Sequence, residues 1–268
     1  MKYSRILAAL LSLLLLSGCS IVPFQTPEEQ RAALEAAEVL RQEAQAEADP
    51  FAALSGEYTL SRTLTNAAGV ELASYRVAYP KFSEDGQKAQ SFARINSYYE
   101  NEISGLTQDA YSFFNVVKAA YGEEWDTVAL ADKLFSVNIS YELMKAPEGY
   151  LTVRCDFRVE ENGQVENYSQ AQVFLLDNGW HLTMEALLGE QYDTAAPKLT
   201  ASILAWCNNN GITVTNPDKR TLEEFSGNFA LTEEGFLFYT EPFQLSNKNS
   251  NRYSIPVSRS GFRSVLED

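Results

Sequence analysis

The sequence predicts an α+β fold: an antiparallel sheet of hairpins and a meander, packed with helices and preceded by a helical spacer. Three observations predict it. Strand-like runs come in groups separated by short turns rich in Gly, Asn or Pro. Helical runs are grouped too, instead of alternating one by one with strands. An Ala/Glu/Gln-rich run without glycine precedes both.

The chain opens with Lys2 and Arg5, then runs almost wholly apolar from Ile6 to Leu16. That is the layout of a secretory signal peptide, and the run is too short to span a bilayer as a helix. Leu16-Ser17-Gly18-Cys19 places small residues before a cysteine, as in the lipobox of bacterial lipoproteins. Residues 1–18 are therefore expected to be removed and Cys19 to be the lipidation site. Its acyl chains anchor the protein to the membrane, each buried methylene contributing about 0.8 kcal/mol. The expected location is the extracytoplasmic face of the cell membrane.

Residues 19–55 read as a lipid-anchored spacer. Pro27 suits a first helical position and Pro50 stops the run. Between them Ala33, Ala37, Ala44 and Ala48 surround Leu34 and Leu40, a thin apolar stripe. A solvated helix here reaches about 33 Å at about 1.5 Å per residue. A coiled-coil dimer is the alternative, and the lack of large a/d residues weighs against it.

The folded domain is expected over 56–268. Glu57–Thr65 and Val70–Tyr79 alternate as strands around Asn66-Ala67-Ala68-Gly69, a hairpin. Asp85–Ser104 and Thr107–Tyr121 read as two helices, the first with Phe92, Ile95, Tyr99 and Ile103 at helical spacing. Leu134–Met144, Tyr150–Glu160 and Val165–Leu176 form the meander. Met184–Leu188 is a short helical turn, and Ala196–Asn209 is an amphipathic helix closed by Asn210-Gly211. Phe229–Leu231 and Phe236–Thr240 make a last hairpin. Tyr253–Val257 is a final edge strand, where Pro256 is tolerated. Cys155 and Cys207 fall on the apolar sides of a strand and a helix, as core thiols; a disulfide is the alternative.

Composition excludes several functions. Without Lys2 and Arg5 the chain holds 19 basic and 36 acidic residues, a net charge of −17. Nucleic-acid binding needs a basic surface. A basic partner, by contrast, is drawn in by long-range attraction. His181 is the only histidine, so a His-rich metal site or a zinc-protease motif is excluded. No nucleophile elbow or phosphate-binding glycine loop occurs, and no catalytic residue, metal or cofactor is assigned. Asp and Glu are numerous, and Glu160–Glu161 and Glu233–Glu234 lie at turns, so a carboxylate-based glycan hydrolase or esterase is the alternative to a binding protein. Tyr98, Tyr99, Tyr111, Phe113 and Phe114 cluster in the early helices. Both faces of a helix are not easily buried, so Tyr98, Tyr99 and Phe113 are the candidate binding residues; the competing role is to cover the sheet.

Three stretches near the C-terminus carry a family resemblance. They are Leu176-Asp177-Asn178-Gly179-Trp180-His181-Leu182-Thr183-Met184-Glu185-Ala186-Leu187-Leu188, then Phe229 to Tyr239 with Glu241-Pro242-Phe243, then Ser254-Ile255-Pro256-Val257. Upstream, Tyr79-Pro80-Lys81-Phe82 and Ile95-Asn96-Ser97 extend it. Together they resemble the extracytoplasmic domain of RsiV-type anti-sigma factors, also found beside PdaC-type polysaccharide deacetylases and in lipoproteins. Coverage is residues 56–260. The family's Gly-Gly-Ala-His run is replaced by Glu166-Asn167-Tyr168-Ser169-Gln170-Ala171, and its Pro-Tyr by Pro242-Phe243. The resemblance implies a non-enzymatic binding or sensing domain whose partner is a basic protein such as lysozyme, or peptidoglycan. The deacetylase catalytic domain, with its Asp and His metal ligands, has no counterpart in this sequence.

Overall fold

The computed structural model describes residues 49–129 and 135–258, all within the compact unit Glu47–Asp268. The signal peptide, Cys19 and the spacer up to residue 48 lie outside the described residues.

Strands β1 (Leu54–Thr65) and β2 (Glu71–Phe82) form the expected hairpin, β1 starting two residues before Gly56. Asn66 closes its turn: its Oδ1 accepts from the Val70 N–H at 2.9 Å. Its Nδ2 donates to the carbonyls of Trp125 (3.1 Å) and Val128 (2.9 Å), tying the turn to the segment after the following helix.

That helix, α1 (Ala89–Tyr121), is one element of 33 residues, not the two expected. Gly105 was the break between them. An interior glycine costs a helix about 1 kcal/mol. Here Phe92, Ile95 and Tyr99 before it, and Ala110, Phe114, Val117 and Tyr121 after it, are all buried on the same side. Burying several such side chains at about 1.5–3 kcal/mol each outweighs the glycine. Gly122, at φ 65°, ends the helix.

β3 (Phe135–Met144), β4 (Tyr150–Glu161) and β5 (Gln164–Leu175) are the antiparallel meander. The two-residue turn Asn162-Gly163 has φ 51° and 79°, as a tight hairpin of this length requires. β3 runs parallel to β2, a pairing not read from the sequence. Parallel neighbours need a long crossover, and α1 lies within it. β6 (Trp180–His181) adds a short edge, giving the order β1-β2-β3-β4-β5-β6.

After β6 come α2 (Met184–Leu188), capped by the Thr183 hydroxyl, and α3 (Tyr192–Asn209), which starts four residues earlier than Ala196. Pro197 lies inside it near the N-terminus; burial of Ala195 and Leu199 on either side offsets the missing hydrogen bond. β7 (Phe229–Thr232), β8 (Gly235–Tyr239) and β9 (Ser254–Ser258) form a second antiparallel sheet. Pro256 lies on β9, at the sheet's edge. The fold is thus α+β, with six- and three-stranded sheets and two long helices.

Two apolar cores result. One lies under α1 and includes Phe82, Phe92, Ile95, Leu151, Val153 and Phe174. The other joins α2 and α3 to the second sheet, around Met184, Leu199, Ile203, Phe238 and Ile255. β5 serves both, because strand alternation sends Phe174 into one and Val173 into the other. Cys155 is buried in the first and Cys207 in the second, both as free thiols. No helix among the described residues is long and apolar enough to cross a membrane.

Candidate functional site

The meander carries its apolar side chains toward α1 and its polar ones away from it. Register pairs Asn138 with Arg158, Ser140 with Asp156 and Glu142 with Arg154 across β3 and β4. It continues the row onto β5, with Asp156 opposite Ser169 and Arg158 opposite Asn167. Directly paired residues share a face, so these side chains make a continuous polar surface. Toward the other end of the strands the second sheet covers this face. There the Thr152 hydroxyl donates to the Leu231 carbonyl at 2.6 Å, and the Glu233 N–H to that of Lys145 at 3.1 Å.

At the margin of the covered zone, Tyr239, Thr240, Arg252 and Tyr253 close a cleft of about 450 Å³ against the polar face. Its charged lining residues, Asp156, Arg158 and Arg252, are each paired with a neighbour. Arg154 meets Glu142 at 2.5 Å and Asp156 at 3.0 Å, and Asp156 also accepts from the Ser169 hydroxyl at 2.6 Å. Arg252 binds Glu166 at 2.9 Å, and also Glu241. Its guanidinium sits 4.1 Å from the centre of the Tyr168 ring, which stacks on Phe157 at 4.6 Å and 6°. Phe157 and Tyr168 pair on the α1 side of the sheet, so the stack holds Arg252 over the β5 edge beside the cleft.

Tyr239 forms the back of the cleft. It is 6% exposed, and its hydroxyl meets no partner in hydrogen-bonding geometry among the described residues. Burial pushes the phenol up to about 12, with Arg154 acting against the shift. Arg154 is thus near the hydroxyl, but a guanidinium only donates. Among the described residues the Tyr239 O–H therefore has no acceptor.

β5 pairs with β6 only at Phe174 and Leu175, leaving residues 164–173 as an edge. Asn228 covers part of it. Its Oδ1 accepts from the Ala171 N–H at 3.0 Å and its Nδ2 donates to the Ser169 carbonyl at 3.1 Å. The side-chain amide thereby stands in for a neighbouring strand, protecting a sheet edge from unwanted pairing. A second cleft of about 490 Å³ includes Asn228, Tyr98, Gln170, His181 and Gln244, and Tyr239 lines both clefts. His181 is exposed, with the Tyr98 (5.3 Å) and Phe174 (5.5 Å) rings beside its imidazole. Desolvation of the ring holds its pKa below the usual imidazole value.

The three aromatic candidates separate. Tyr98 is half-buried on Tyr99 and Phe174 and reaches the second cleft. Tyr99 is fully buried, because it falls on the α1 face that packs on β2, so it offers no surface to a ligand. Phe113 is half-buried against Tyr75 and lines neither cleft. Of the turn carboxylates, Glu160 is held by Arg158 at 3.3 Å. Among the described residues no group of three or more His, Cys, Asp or Glu is arranged to hold a metal ion. The polar face itself was missed from sequence. Its signal is present, in the polar alternation of Asn138-Ser140-Glu142 and Arg154-Asp156-Arg158 on consecutive strands. The segment Glu166–Ala171, where this chain departs from the family's Gly-Gly-Ala-His, falls on the β5 edge that borders both clefts.

No family model matches the chain, and no curated protein matches it. Solved structures do. The chain is similar in fold to a DUF3298 family member from Bacteroides fragilis, at 15% identity and a TM-score of 0.50, covering 81% of this chain and 94% of that one. A DUF3298 family protein from Pseudomonas aeruginosa aligns at 10% identity and a TM-score of 0.43, covering 78% and 92%. The structural neighbours are thus DUF3298 family proteins, and the first of them shares this fold.

Proposed function

We propose that the chain is a lipid-anchored, extracytoplasmic binding or sensing domain of the RsiV-like type, without enzymatic activity, facing the cell wall. Its ligand is a basic protein such as lysozyme, or peptidoglycan. The observation that carries this reading is the junction cleft. It is concave and polar, and its arginines and carboxylates are already committed to one another. General acid–base work needs a group free to exchange a proton with substrate; paired charges instead favour recognition. The lipobox-like run Leu16-Ser17-Gly18-Cys19 supports the location, and the acidic charge supports the basic-protein branch.

The test is retention of lysozyme and of purified wall by the full chain across a salt series. A basic-protein ligand gives binding that weakens with salt. A glycan ligand gives retention that does not. Failure to retain either one removes the reading.

The anchor has its own test. Cys19→Ala is expected to abolish incorporation of a fatty-acid probe and to alter processing, while wild type is labelled. An unlabelled wild type would sink the lipoprotein assignment.

A further inference from the structure

We infer that the junction cleft between Tyr239 and the polar face of the meander is a binding site for a neutral polyhydroxylated ligand, a short segment of glycan. This deepens the proposed function and rests on it.

Arg154, Arg158 and Arg252 are each paired with at least one carboxylate. No free cation is left there to take an anion. A cationic ligand would have to displace Arg154 or Arg252 from the same carboxylates. A neutral ligand meets neither obstacle.

The unmatched groups then define its chemistry. The Tyr239 hydroxyl is more than nine-tenths buried and lacks an acceptor for its proton. Native proteins rarely leave such a donor unpaired; the Tyr99 hydroxyl is unpaired too but sealed in the core under α1, whereas that of Tyr239 lies in the wall of a cleft that a ligand can enter. Around it Asn138, Ser140 and Asn167 face the cleft with side chains that bond no other described residue. Two amides and two hydroxyls offer donors and acceptors together. Asn138 and Ser140 stand two residues apart on β3, about 7 Å along the strand, Asn167 stands on β5, about 10 Å away across β4, and Tyr239 faces them from β8. Sugar hydroxyls both donate and accept, so a short glycan can meet dispersed groups of both kinds at once. A cleft of about 450 Å³ lies in the range of small-ligand sites. Arg252, which lines the cleft, is held in place by the Tyr168 ring and by Glu166 and Glu241, which lowers the ordering cost of binding.

An orphan donor kept for a ligand has a signature that a packing defect lacks. Removing a buried, unpaired hydroxyl leaves stability unchanged or raises it. Removing one hydrogen bond to a neutral ligand weakens binding about five- to tenfold. Tyr239→Phe should therefore bind more weakly while melting at the same or a higher temperature. Ser140→Trp, at an exposed position on the open face, should fill the cleft and abolish binding without unfolding the domain.

The probe is a soluble β-1,4-linked N-acetylglucosamine tetrasaccharide, titrated calorimetrically into the full chain, Tyr239→Phe and Ser140→Trp at low and high salt. The expected result is salt-insensitive binding by wild type, five- to tenfold weaker binding by Tyr239→Phe, and none by Ser140→Trp. Absence of binding by wild type, or binding that both variants retain in full, overturns the inference. Lysozyme and whole-wall retention measured on the same preparations separates the two levels. Loss of the tetrasaccharide result alone removes the cleft assignment, and loss of all three removes the binding reading as well.

Discussion

Gly179→Ala is expected to destabilise the domain by about 2–5 kcal/mol. Two causes add. The residue sits at φ +72°, where an L side chain costs about 1–2 kcal/mol. A Cβ there would also stand 2.2 Å from the backbone oxygen of Ser91 in α1, and backbone cannot rotate aside. Overpacking of this kind costs about 1–3 kcal/mol. The turn is pressed onto the helix by its neighbours. Lys88 binds Asp177 at 2.7 Å, Arg94 donates to the Asn178 carbonyl at 2.6 Å, and its guanidinium lies 4.5 Å from the Trp180 ring centre. Urea unfolding measures the change, and thermal melting should fall by about 5–15 °C. A loss below about 1 kcal/mol would show that the turn lifts off α1 cheaply.

Asn96→Ala should cost about 2–4 kcal/mol for a different reason. Asn96 is 1% exposed on α1 and grips the end of β2 from both sides. Its Oδ1 accepts from the Phe82 N–H and its Nδ2 donates to the Phe82 carbonyl, both at 2.9 Å, with a further bond to Glu84 at 2.9 Å. Truncation strands two backbone groups, each at about 1–3 kcal/mol when left unpaired and buried. Asn96→Asp should be no better, since a carboxylate cannot donate to the Phe82 carbonyl and faces Glu84. Ser97→Ala, one residue on but exposed, should change stability by less than about 0.5 kcal/mol. Equal melting temperatures for Asn96→Ala and Ser97→Ala would contradict this account of how α1 is fixed to the sheet.

These two residues show what the sequence exposes and what it hides. Gly179 and Asn96 both lie in stretches that carried the family resemblance, and each now has a physical reason to be that residue. Local pattern was legible where it sufficed. The Met184–Leu188 turn was read with its observed bounds, and the meander strands to within a residue or so. It failed where distant packing decides. Gly105 reads as a break, yet burial on both sides keeps α1 whole. The parallel pairing of β2 with β3 follows from where α1 crosses, which no local window contains. The site was hidden for the same reason. Tyr98, Tyr99 and Phe113 advertise themselves by size, whereas Tyr239 matters because nothing accepts its proton. Asn228, which covers the β5 edge from 57 residues away, leaves no local trace at all.

The most direct test of the central claim uses labelled, insoluble peptidoglycan incubated with the full chain, with bound protein and released label measured together. A binding domain is expected to co-sediment with the wall, or with lysozyme-loaded wall if the ligand is the protein, and to release no soluble label over background. Release of soluble fragments that a single Asp or Glu substitution abolishes would contradict the account and make the chain a carboxylate-based wall hydrolase instead.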